Sequence, residues 1–411
     1  MSSSVPEGWE LSNISSTCEV LDSKRVPLNS QERSGRQGVY PYYGANGVQG
    51  YIDDYIFEGE HVLLAEDGGN FDQWESRPIS YLVSGKFWVN NHAHILKAKG
   101  SNLTRFIHYS LVHKNILKHI NGGTRAKLNQ SDMRDITLLR PPPPEQQKIA
   151  TILSTVDDVI EKTRAQIDKL KDLKTGMMQE LLTKGIGPGG VPHTEFKDSP
   201  VGRIPVGWKI VDYASVVRPV MPSFILNDDE EYSPVVVRRR HMGVETRETK
   251  LGSKILVKSQ YRVVPGTFLI SKRQIYHGSC GLVPFNIGDK AIISKEYLAL
   301  ETTDELDVRF LNYFSYTNAF HQQIVRTTYG VDEEKFVFKD QWWMKELIPL
   351  PSRDEQNEIS NILDSMASEI SLKEKYLVQV ESVKKAIMQD LLTGKVRVNV
   401  DNMDSEERVA V

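Results

Sequence analysis

The chain has 411 residues, of which 39% are hydrophobic and 26% charged, a composition typical of a globular protein long enough for several domains. It opens on a polar stretch rather than a signal peptide, and it has no apolar run of membrane-spanning length. Cys18 and Cys280 are far apart, so neither a disulfide framework nor a cysteine metal site is expected. This usage indicates a reducing compartment, most simply the cytoplasm.

The net charge of −3 hides an uneven distribution of charged residues. Between Arg238 and Arg273 there are ten basic residues against only Glu245 and Glu248. A local surplus of this kind can bind phosphates even in a protein that is acidic as a whole.

The first globular segment, residues 1–143, is predicted to contain short strands and turns followed by a helix. Between residues 42 and 70, Asn-Gly and Asp-Gly pairs separate apolar stretches, and such pairs favour turns because they tolerate positive φ. A strand pair is predicted for residues 81–83 and 86–89, around a Ser-Gly turn, and a helix for residues 104–117.

A long amphipathic helix is predicted for residues 144–184, after four prolines that can start a helix but not continue one. Its apolar residues recur in steps of three and four, the pattern of a long coiled-coil seam. The pattern returns 210 residues later in a second helix, 351–395, and both helices run into Leu-Leu-Thr. The predicted seam positions are Ile149, Ile152, Val156, Ile160, Ile167, Leu170, Met177 and Leu181, then Ile359, Ile362, Met366, Ile370, Leu377, Val380, Ile387 and Leu391.

The boundaries of these helices carry the expected capping residues. Ser352 and Glu355 fit a capping box at the start of the second helix. Gly185 and Gly394 lie just beyond the two helix ends, where a residue with positive φ is favoured.

The remaining segments repeat the order of the first half. Residues 185–204 are rich in Gly and Pro and are predicted to form a linker. Residues 205–350 form a second globular segment that starts with Pro-x-Gly-Trp, as the first does, and a helix is predicted at 308–325. Residues 396–411 are an acidic tail that we expect to be disordered. Strands in the second segment are predicted at 233–237, 255–258, 267–270, 281–283 and 291–294.

A long helix with a single apolar stripe has to bury that stripe to be stable in water. Its own repeat has the same register, and two equivalent units pair most simply as antiparallel helices about a pseudo-two-fold axis. We therefore predict an α+β protein in which two globular segments of mixed α/β structure are separated by an intramolecular antiparallel coiled coil. At about 1.5 Å per residue each helix would be roughly 55 Å long. That length exceeds one turn of DNA.

With this arrangement the chain resembles the specificity subunits of type I restriction–modification systems over essentially its whole length. The most similar stretches are residues 42–70, 85–93 and 260–284, together with Pro143 to Gln147 and Asp354 to Gln356 at the helix starts. The second helix start lacks the proline run. The resemblance implies that the globular segments are target-recognition domains, each reading one half-site of a bipartite DNA target with a nonspecific spacer.

The same resemblance implies the partners. They are double-stranded DNA, two methyltransferase subunits and restriction/translocase subunits, with no membrane. S-adenosylmethionine, ATP and magnesium are expected on those partner subunits and no cofactor on this chain.

Base readout in the major groove uses Arg or Lys on guanine and Asn or Gln on adenine. The first globular segment offers such side chains on predicted loops, although glycine-rich asparagine loops can equally serve only to turn strands. The candidates are Arg36, Tyr43, Asn46, Asn70, Trp74, Arg77, Asn91, Arg125 and Lys127.

In the second segment two basic runs each follow a Val- or Ile-rich strand, with almost no acidic residues between them. This pattern favours DNA contact over an ordinary solvated face. The candidates are Arg238, Arg239, Arg240 and His241, then Lys272, Arg273, Gln274, Tyr276 and His277, and finally Arg326 and Tyr329.

The motifs of catalysis are missing from the sequence. There is no Gly-x-x-x-x-Gly-Lys-Ser/Thr phosphate loop and no amino-methylase motif of the Asn-Pro-Pro-Tyr type, so we expect neither ATP hydrolysis nor methyl transfer from this chain alone. His92 and His94 are spaced to face one metal ion, but no third ligand is evident, and packing or polar contacts are favoured. No catalytic or metal-binding residue is predicted.

Two other interpretations stay open. A coiled-coil scaffold without a DNA role would tolerate charge reversal between residues 238 and 273. A self-contained nuclease would cleave DNA with magnesium and no partners. The Glu-x-Lys triplets at 195–197 and 333–335 resemble the end of a nuclease site, but the chain has no Pro-Asp pair to accompany them.

Overall fold

The computed structural model describes residues 5–122, 126–187, 189–330 and 336–400. The chain divides into two compact units: unit 1 comprises Met1–Ala165 and Lys375–Val411, and unit 2 comprises Gln166–Glu374. Two long helices each contribute one part to each unit. Within the described ranges, every helix is too short or too polar to cross a lipid bilayer.

Unit 1 holds the first globular segment, whose described residues form short strands, four short α-helices and single 3-10 turns before the first long helix. The strands are β1 (Glu10–Asn13), β2 (Cys18–Val20), β3 (Tyr40–Gly44), β4 (Gly47–Ile52), β5 (Phe57–Glu58), β6 (His61–Ala65), β7 (Ser80–Val83), β8 (Lys86–Val89), β9 (Ala93–Ala98), β10 (Ile120–Asn121), β11 (Lys127–Leu128) and β12 (Thr137–Arg140). The helices are α1 (Ile14–Thr17), α2 (Ser30–Ser34), α3 (Thr104–Leu111), α4 (Gln130–Arg134) and α5 (Pro143–Lys184).

Two four-stranded sheets form the body of this segment. The first is antiparallel with the order β2-β9-β6-β7, and the second has the order β4-β3-β8-β5 with β3 and β8 parallel. Strand β6 is buried at all five residues, including His61, so both faces of this strand are covered. Strands β1 and β12 pair where the segment begins and ends.

Unit 2 holds the second globular segment. Its strands are β13 (Phe196–Lys197), β14 (Ile204–Pro205), β15 (Lys209–Asp212), β16 (Val217–Pro219), β17 (Ser223–Ile225), β18 (Glu231–Val237), β19 (Val244–Thr246), β20 (Lys250–Leu251), β21 (Ser259–Arg262), β22 (Phe268–Ser271), β23 (Cys280–Leu282), β24 (Ala291–Ile293), β25 (Tyr297–Thr302), β26 (Thr328–Tyr329), β27 (Val337–Phe338) and β28 (Leu347–Leu350). The helices are α6 (Tyr213–Val216), α7 (Val308–Phe314), α8 (Asn318–Thr327), α9 (Asp340–Trp343) and α10 (Arg353–Leu392).

The second segment repeats much of the topology of the first in spite of its unlike sequence. The β15–β28 pair corresponds to β1–β12, and the antiparallel sheet β16-β25-β22-β23 corresponds to β2-β9-β6-β7. The other sheet is larger, with the order β17-β21-β24-β18-β19, and β20 also pairs with β18. The core contains Tyr213 and Trp343, whose rings stack 3.9 Å apart.

The two long helices pack against each other within each unit and run in opposite directions. In unit 1, Asp157 forms an ion pair with Lys384, and Arg164 one with Glu381. Positions rise along α5 as they fall along α10, which defines an antiparallel pair. All sixteen predicted seam residues are buried or half-buried.

Equivalent apolar residues of the two helices lie in equivalent surroundings. In unit 1, Ile149 and Leu153 share a cluster with Met388 and Leu391. In unit 2 the equivalent residues, 210 positions away, also form one cluster: Ile359 and Leu363 of α10 pack with Met178 and Leu181 of α5. The duplication in sequence is therefore also a duplication of packing.

The helix ends agree with the predicted caps in part. Gly185 and Gly394 have φ of 65° and 70°, as predicted. Ser352 Oγ accepts a hydrogen bond from the backbone nitrogen of Glu355 at 3.3 Å. The Glu355 carboxylate makes its contacts elsewhere, so only half of the capping box forms.

Several predicted elements were wrong in their pairing or extent. The strands at 81–83 and 86–89 do not pair, because β7 pairs with β6 while β8 pairs with β3 and β5. Residues 255–258 precede β21 rather than forming a strand. The helix predicted at 308–325 is two helices, because the Thr317 side chain accepts from Phe320 N and starts α8. The helix predicted at 104–117 ends at Leu111.

The segment after α10 returns to the beginning of the chain. A Cβ on Gly394 would lie 2.5 Å from Pro6 Cγ, so the two segments are in direct contact. Arg397 donates to the backbone oxygen of Glu7 at 2.7 Å and forms an ion pair with Glu145. The predicted disordered tail therefore starts too early at residue 396, and residues 401–411 lie outside the described residues.

Candidate nucleic-acid interface

Loop A, residues 238–243, connects β18 to β19 and contains the first predicted basic run. Val237 pairs with Val244, and Arg238 N donates to Gly243 O at 2.9 Å. Arg240 and His241 have φ of 58° and 54° and are the only non-glycine residues with positive φ in the described part of the chain. Such a conformation costs about 1–3 kcal/mol per residue and persists only where the surroundings hold it.

Loop B, residues 272–279, connects β22 to β23, contains the second basic run, and holds loop A. The backbone nitrogen of Arg240 donates to His277 O at 2.7 Å, and that of His241 donates to Gly278 O at 2.9 Å. The Arg239 Nε donates to Gln274 Oε1 at 2.7 Å. The structure thus brings the two predicted basic runs into direct contact.

The His241 ring anchors loop A from the other side. It stacks on Tyr316 with ring centroids 4.3 Å apart, and Tyr316 OH donates to His241 O at 3.2 Å. A Cβ on Gly278 would lie 2.8 Å from His241 Nε2, so this packing needs glycine in loop B. Burial lowers the pKa of His241, which favours the neutral ring.

Most basic side chains of loops A and B have partners within unit 2. Arg238 pairs with Glu245, and distances of 2.8 Å and 2.6 Å join Lys272 to Asp340 and Arg273 to Glu296. The pairs of Arg238 and Arg273 are exposed, whereas the pair of Lys272 is half-buried. Because exposed ion pairs contribute only about 0–1 kcal/mol each, a phosphate can compete for Arg238 and Arg273. The Arg240 guanidinium has no hydrogen bond or ion pair among the described residues.

The other candidates of unit 2 lie beside loop B or farther along α8. Tyr276 packs edge-on against Phe336, with ring centroids 4.8 Å apart. Arg326 forms an ion pair with Glu346 at 2.6 Å. The Lys339 ammonium lies 4.7 Å from the ring centroid of Tyr329, which is 50% exposed.

In unit 1, two predicted asparagines connect neighbouring loops. Asn46 Nδ2 donates to Gly68 O at 2.8 Å, and Asn70 Nδ2 donates to Asn46 Oδ1 and to Pro78 O, each at 3.3 Å. These side chains therefore brace the turns that they belong to. A contact with DNA would have to use their remaining hydrogen-bonding capacity.

Asn91 and Lys127 lie on two segments that contact the loop containing Asp67 and Gly68. The backbones of Asp67 and Lys127 form an isolated antiparallel β-bridge, and the Asp67 carboxylate accepts a hydrogen bond from His92 Nδ1 at 2.6 Å. Lys127 Nζ lies 3.3 Å from Glu66. Asn91 is exposed, and no side-chain hydrogen bond is made by it among the described residues.

Two candidates of unit 1 are engaged in packing. The Arg36 guanidinium pairs with Asp53 at 2.8 Å and lies 4.9 Å from the Trp88 ring centroid. The Tyr43 ring packs edge-on against Phe87 at 5.8 Å, and burial raises its pKa.

The last three candidates differ in their surroundings. Trp74 packs against the core, and its backbone oxygen lies 2.8 Å from His113 Nδ1. Arg77 is exposed, with a 3.4 Å contact to Gln73. Arg125 lies outside the described residues.

Asp22, Glu66 and His94 place ligand-type atoms within 4.8 Å of one another. Their bonds are those of an ion-pair network: His94 Nδ1 lies 2.6 Å from Asp22, and Arg25 lies 2.7 Å from Glu66. His94 Nε2 faces the Leu128 carbonyl at 2.9 Å, so neither ring nitrogen is left for a metal. Burial opposes ionisation of Asp22, but hydrogen bonds, chiefly from His94, lower its pKa.

Sequence reasoning missed the strained backbone at Arg240 and His241 and the exposed Met242 beside them. Positive φ is uncommon for residues other than glycine, and although histidine is enriched there, an Arg-His pair does not predict it. Gly278 was the available sign, because a glycine between two basic or polar stretches can mark a close approach of another segment.

The chain matches the sequence model of the type I restriction modification DNA specificity domain over residues 6–172. It is 25% identical to a putative type I restriction enzyme specificity subunit, MjaX, of Methanocaldococcus jannaschii, over 96% of this chain and 95% of that protein. A putative specificity subunit of Haemophilus influenzae is 36% identical over 35% of this chain and 36% of its own length.

Among solved structures, the S subunit of a type I restriction–modification system from M. genitalium has a similar fold. The TM-score is 0.61 at 14% identity, with 95% of this chain and 98% of that chain covered. Residues 6–172 therefore belong to the type I restriction modification DNA specificity domain family, and the chain as a whole is a relative of type I restriction enzyme specificity subunits.

Proposed function

We propose that this chain is the DNA-specificity subunit of a type I restriction–modification complex. Each globular segment reads one half-site of a bipartite target, and the chain recruits methyltransferase and restriction/translocase subunits. Its similarity to specificity subunits over nearly the whole chain supports this function.

The observation that carries the proposal is the duplicated architecture. Each unit contains one globular segment with the same antiparallel four-strand order and parts of both long helices. A bipartite DNA target needs two readers of different sequence preference on one framework, and the unlike loops of the two segments supply that difference. In unit 2 the basic loops A and B are the candidate contact surface.

The chemistry belongs to the partner subunits in this proposal. S-adenosylmethionine, ATP and magnesium would be held there, and the specificity subunit would bind and position the DNA. Methylation of an adenine requires that base to leave the stack, so the recognition loops would also hold distorted DNA during the reaction.

The test is to map methylated adenines in the source genome with and without this gene. The expected result is loss of one bipartite methylation motif in the deletion strain and its return on complementation. A complemented strain carrying charge reversals at Arg238, Arg239 and Lys272 should lose the motif, whereas a scaffold without a DNA role would keep it. An unchanged methylation map in the deletion strain would contradict the proposed function.

A further inference from the structure

Loop A carries a large apolar side chain on the outside of the protein, among cations. Met242 is 74% exposed and lies two residues after Arg240. Exposing an apolar side chain of this size has no benefit for folding. A binding partner that covers Met242 would bury this apolar surface.

The position of Met242 is fixed more firmly than an ordinary loop tip allows. The residues before it, Arg240 and His241, are left-handed and are each tied to loop B by a backbone hydrogen bond. The His241 ring is stacked on Tyr316. A strained conformation maintained by this many contacts is typical of functional sites.

The cations around Met242 divide into two kinds. Arg238 and Arg239 have partners in Glu245 and Gln274, and they hold the loop in shape. Arg240 is exposed and makes no side-chain bond to a described residue. An available guanidinium beside an exposed thioether is a combination that fits the charged backbone and the apolar base stack of DNA.

We propose that loop A is a DNA-distorting wedge, in which Met242 inserts between two base pairs of the second half-site while Arg240 binds the adjacent phosphate. This inference rests on the proposed function and names the residues that perform part of it. Apolar side chains inserted between base steps unstack and kink a duplex. An unbranched, polarisable methionine fits such an irregular gap.

The wedge also gives the rigid loop a purpose. A flexible loop would move aside rather than transmit force to the base stack. Because the backbone of loop A is bound to loop B before DNA arrives, little ordering remains to be done on binding. The strained residues therefore present Met242 in a preset position.

The experiment uses the full complex with its methyltransferase subunits and the target defined by methylation mapping. 2-Aminopurine is placed at successive positions of the second half-site, because its fluorescence rises when it is unstacked. The adenine that is methylated leaves the stack in any case, so the readout is taken at the other positions, where wild-type complex should give a rise at one base step. In the Met242→Ala complex the fluorescence rise should be smaller by a factor of at least about three, and the target should be bound about tenfold more weakly.

Two controls separate the wedge from general loss of apolar surface. Met242→Leu keeps the apolar volume and should retain most of the fluorescence rise. Phe285→Ala removes another exposed apolar side chain of unit 2, which is 77% exposed, and should leave the rise unchanged. Arg240→Ala should weaken binding to all sequences and lower the slope of log affinity against log salt by about one.

An undiminished fluorescence rise in the Met242→Ala complex would overturn the wedge, and weaker binding with an unchanged rise would assign Met242 a surface contact only. Circular dichroism of each variant checks that the fold is retained. Failure of the wild-type complex to select its target would overturn the proposed function together with the wedge. That failure would be seen with the wild-type complex, whereas failure of the wedge alone would be seen only when the variants are compared with it.

Discussion

The indole nitrogen of Trp208 donates a hydrogen bond to Glu355 Oε1, 3.0 Å away. The same oxygen accepts from Ile186 N at 2.9 Å and lies 3.0 Å from His193 Nε2. In this way one carboxylate joins the start of the second globular segment, the linker and the start of α10. Unit 1 repeats the contact between Trp9 and Glu145, at 3.2 Å.

Replacement of Glu355 tests how much this contact stabilises unit 2. Glu355→Ala leaves three donors without their acceptor, and a buried unsatisfied group costs about 1–3 kcal/mol. We expect the free energy of unfolding to fall by roughly 2–3 kcal/mol in urea titrations followed by tryptophan fluorescence. The neighbouring exposed Asp354→Ala is the matched control and should change it by less than about 0.5 kcal/mol.

The ion pairs between the long helices exchange their signs between the two units. Arg164 on α5 pairs with Glu381 on α10 in unit 1. The equivalent pair in unit 2, 210 positions away, is Glu374 on α10 with Lys171 on α5. Glu374 is the equivalent of Arg164, so the acidic and the basic residue have changed places. Pairing of a helix with a second copy of itself would oppose like charges at these positions.

Charge reversal at one pair tests this relationship. Arg164→Glu should destabilise the protein by about 0.5–1 kcal/mol, because both partners are exposed and the pair is screened by solvent. Adding Glu381→Arg should restore most of that loss, and a double-mutant cycle in urea measures the coupling. A double variant no more stable than the single one would show that the pair contributes nothing to the helix contact.

Asn46 and Asn91 should respond differently to substitution, although the sequence made both candidates for DNA contact. Asn46 braces the Gly68 loop, so Asn46→Ala should lower the free energy of unfolding by about 1 kcal/mol. If Asn91 reads an adenine, Asn91→Ala should leave stability unchanged and weaken target binding by about 1–3 kcal/mol. Urea unfolding and binding titrations of the complex measure the two quantities, and equal binding by wild type and Asn91→Ala would remove Asn91 from the candidates.

His108 makes unit 1 sensitive to acid. Burial of the ring, with a smaller contribution from Lys384, lowers the pKa of His108 from 6.5 to about 3, and its Nδ1 has no hydrogen-bond partner among the described residues. The ring is neutral in the folded state, while the unfolded chain takes up a proton below about pH 6.5. The associated stability is therefore complete above pH 6.5 and is lost as the pH falls from 6.5 towards 3.

At about pH 5.5 this linkage amounts to about 1.4 kcal/mol. Comparison of His108→Phe with wild type isolates it, because the other histidines are common to both proteins. The decrease in unfolding free energy between about pH 7.5 and 5.5 should be smaller in the variant by that amount. Parallel pH profiles for the two proteins would show that His108 titrates normally.

The helices were predictable because their information is local and repeated. A seam of apolar residues returning after 210 positions determines which faces are buried, and the structure buries or half-buries all of them. Leu153 and Leu363 were missed, although they are fully buried. They are covered by the globular segments as well as by the helix partner, and periodicity along one helix does not report such a third neighbour.

The strand partners and the site geometry were less accessible from the sequence. The Ser84-Gly85 turn has the composition of a hairpin but connects two sheets, because β7 and β8 each find a distant partner. The two basic runs were identified, yet their contact depends on the left-handed backbone of Arg240 and His241. Long-range pairing decides both features, and local propensity does not encode it.

The contact between Gly394 and Pro6 has a consequence for how the chain could be rebuilt. Since Arg397 also binds Glu7 and Glu145, both extremities of the described polypeptide meet on one side of unit 1. A circular permutation is therefore feasible, in which a short peptide linker joins these two ends and the chain is cut between the exposed Gly189 and Gly190. The rearranged gene would then begin with the second globular segment and still preserve the interactions of Gly394 and Arg397.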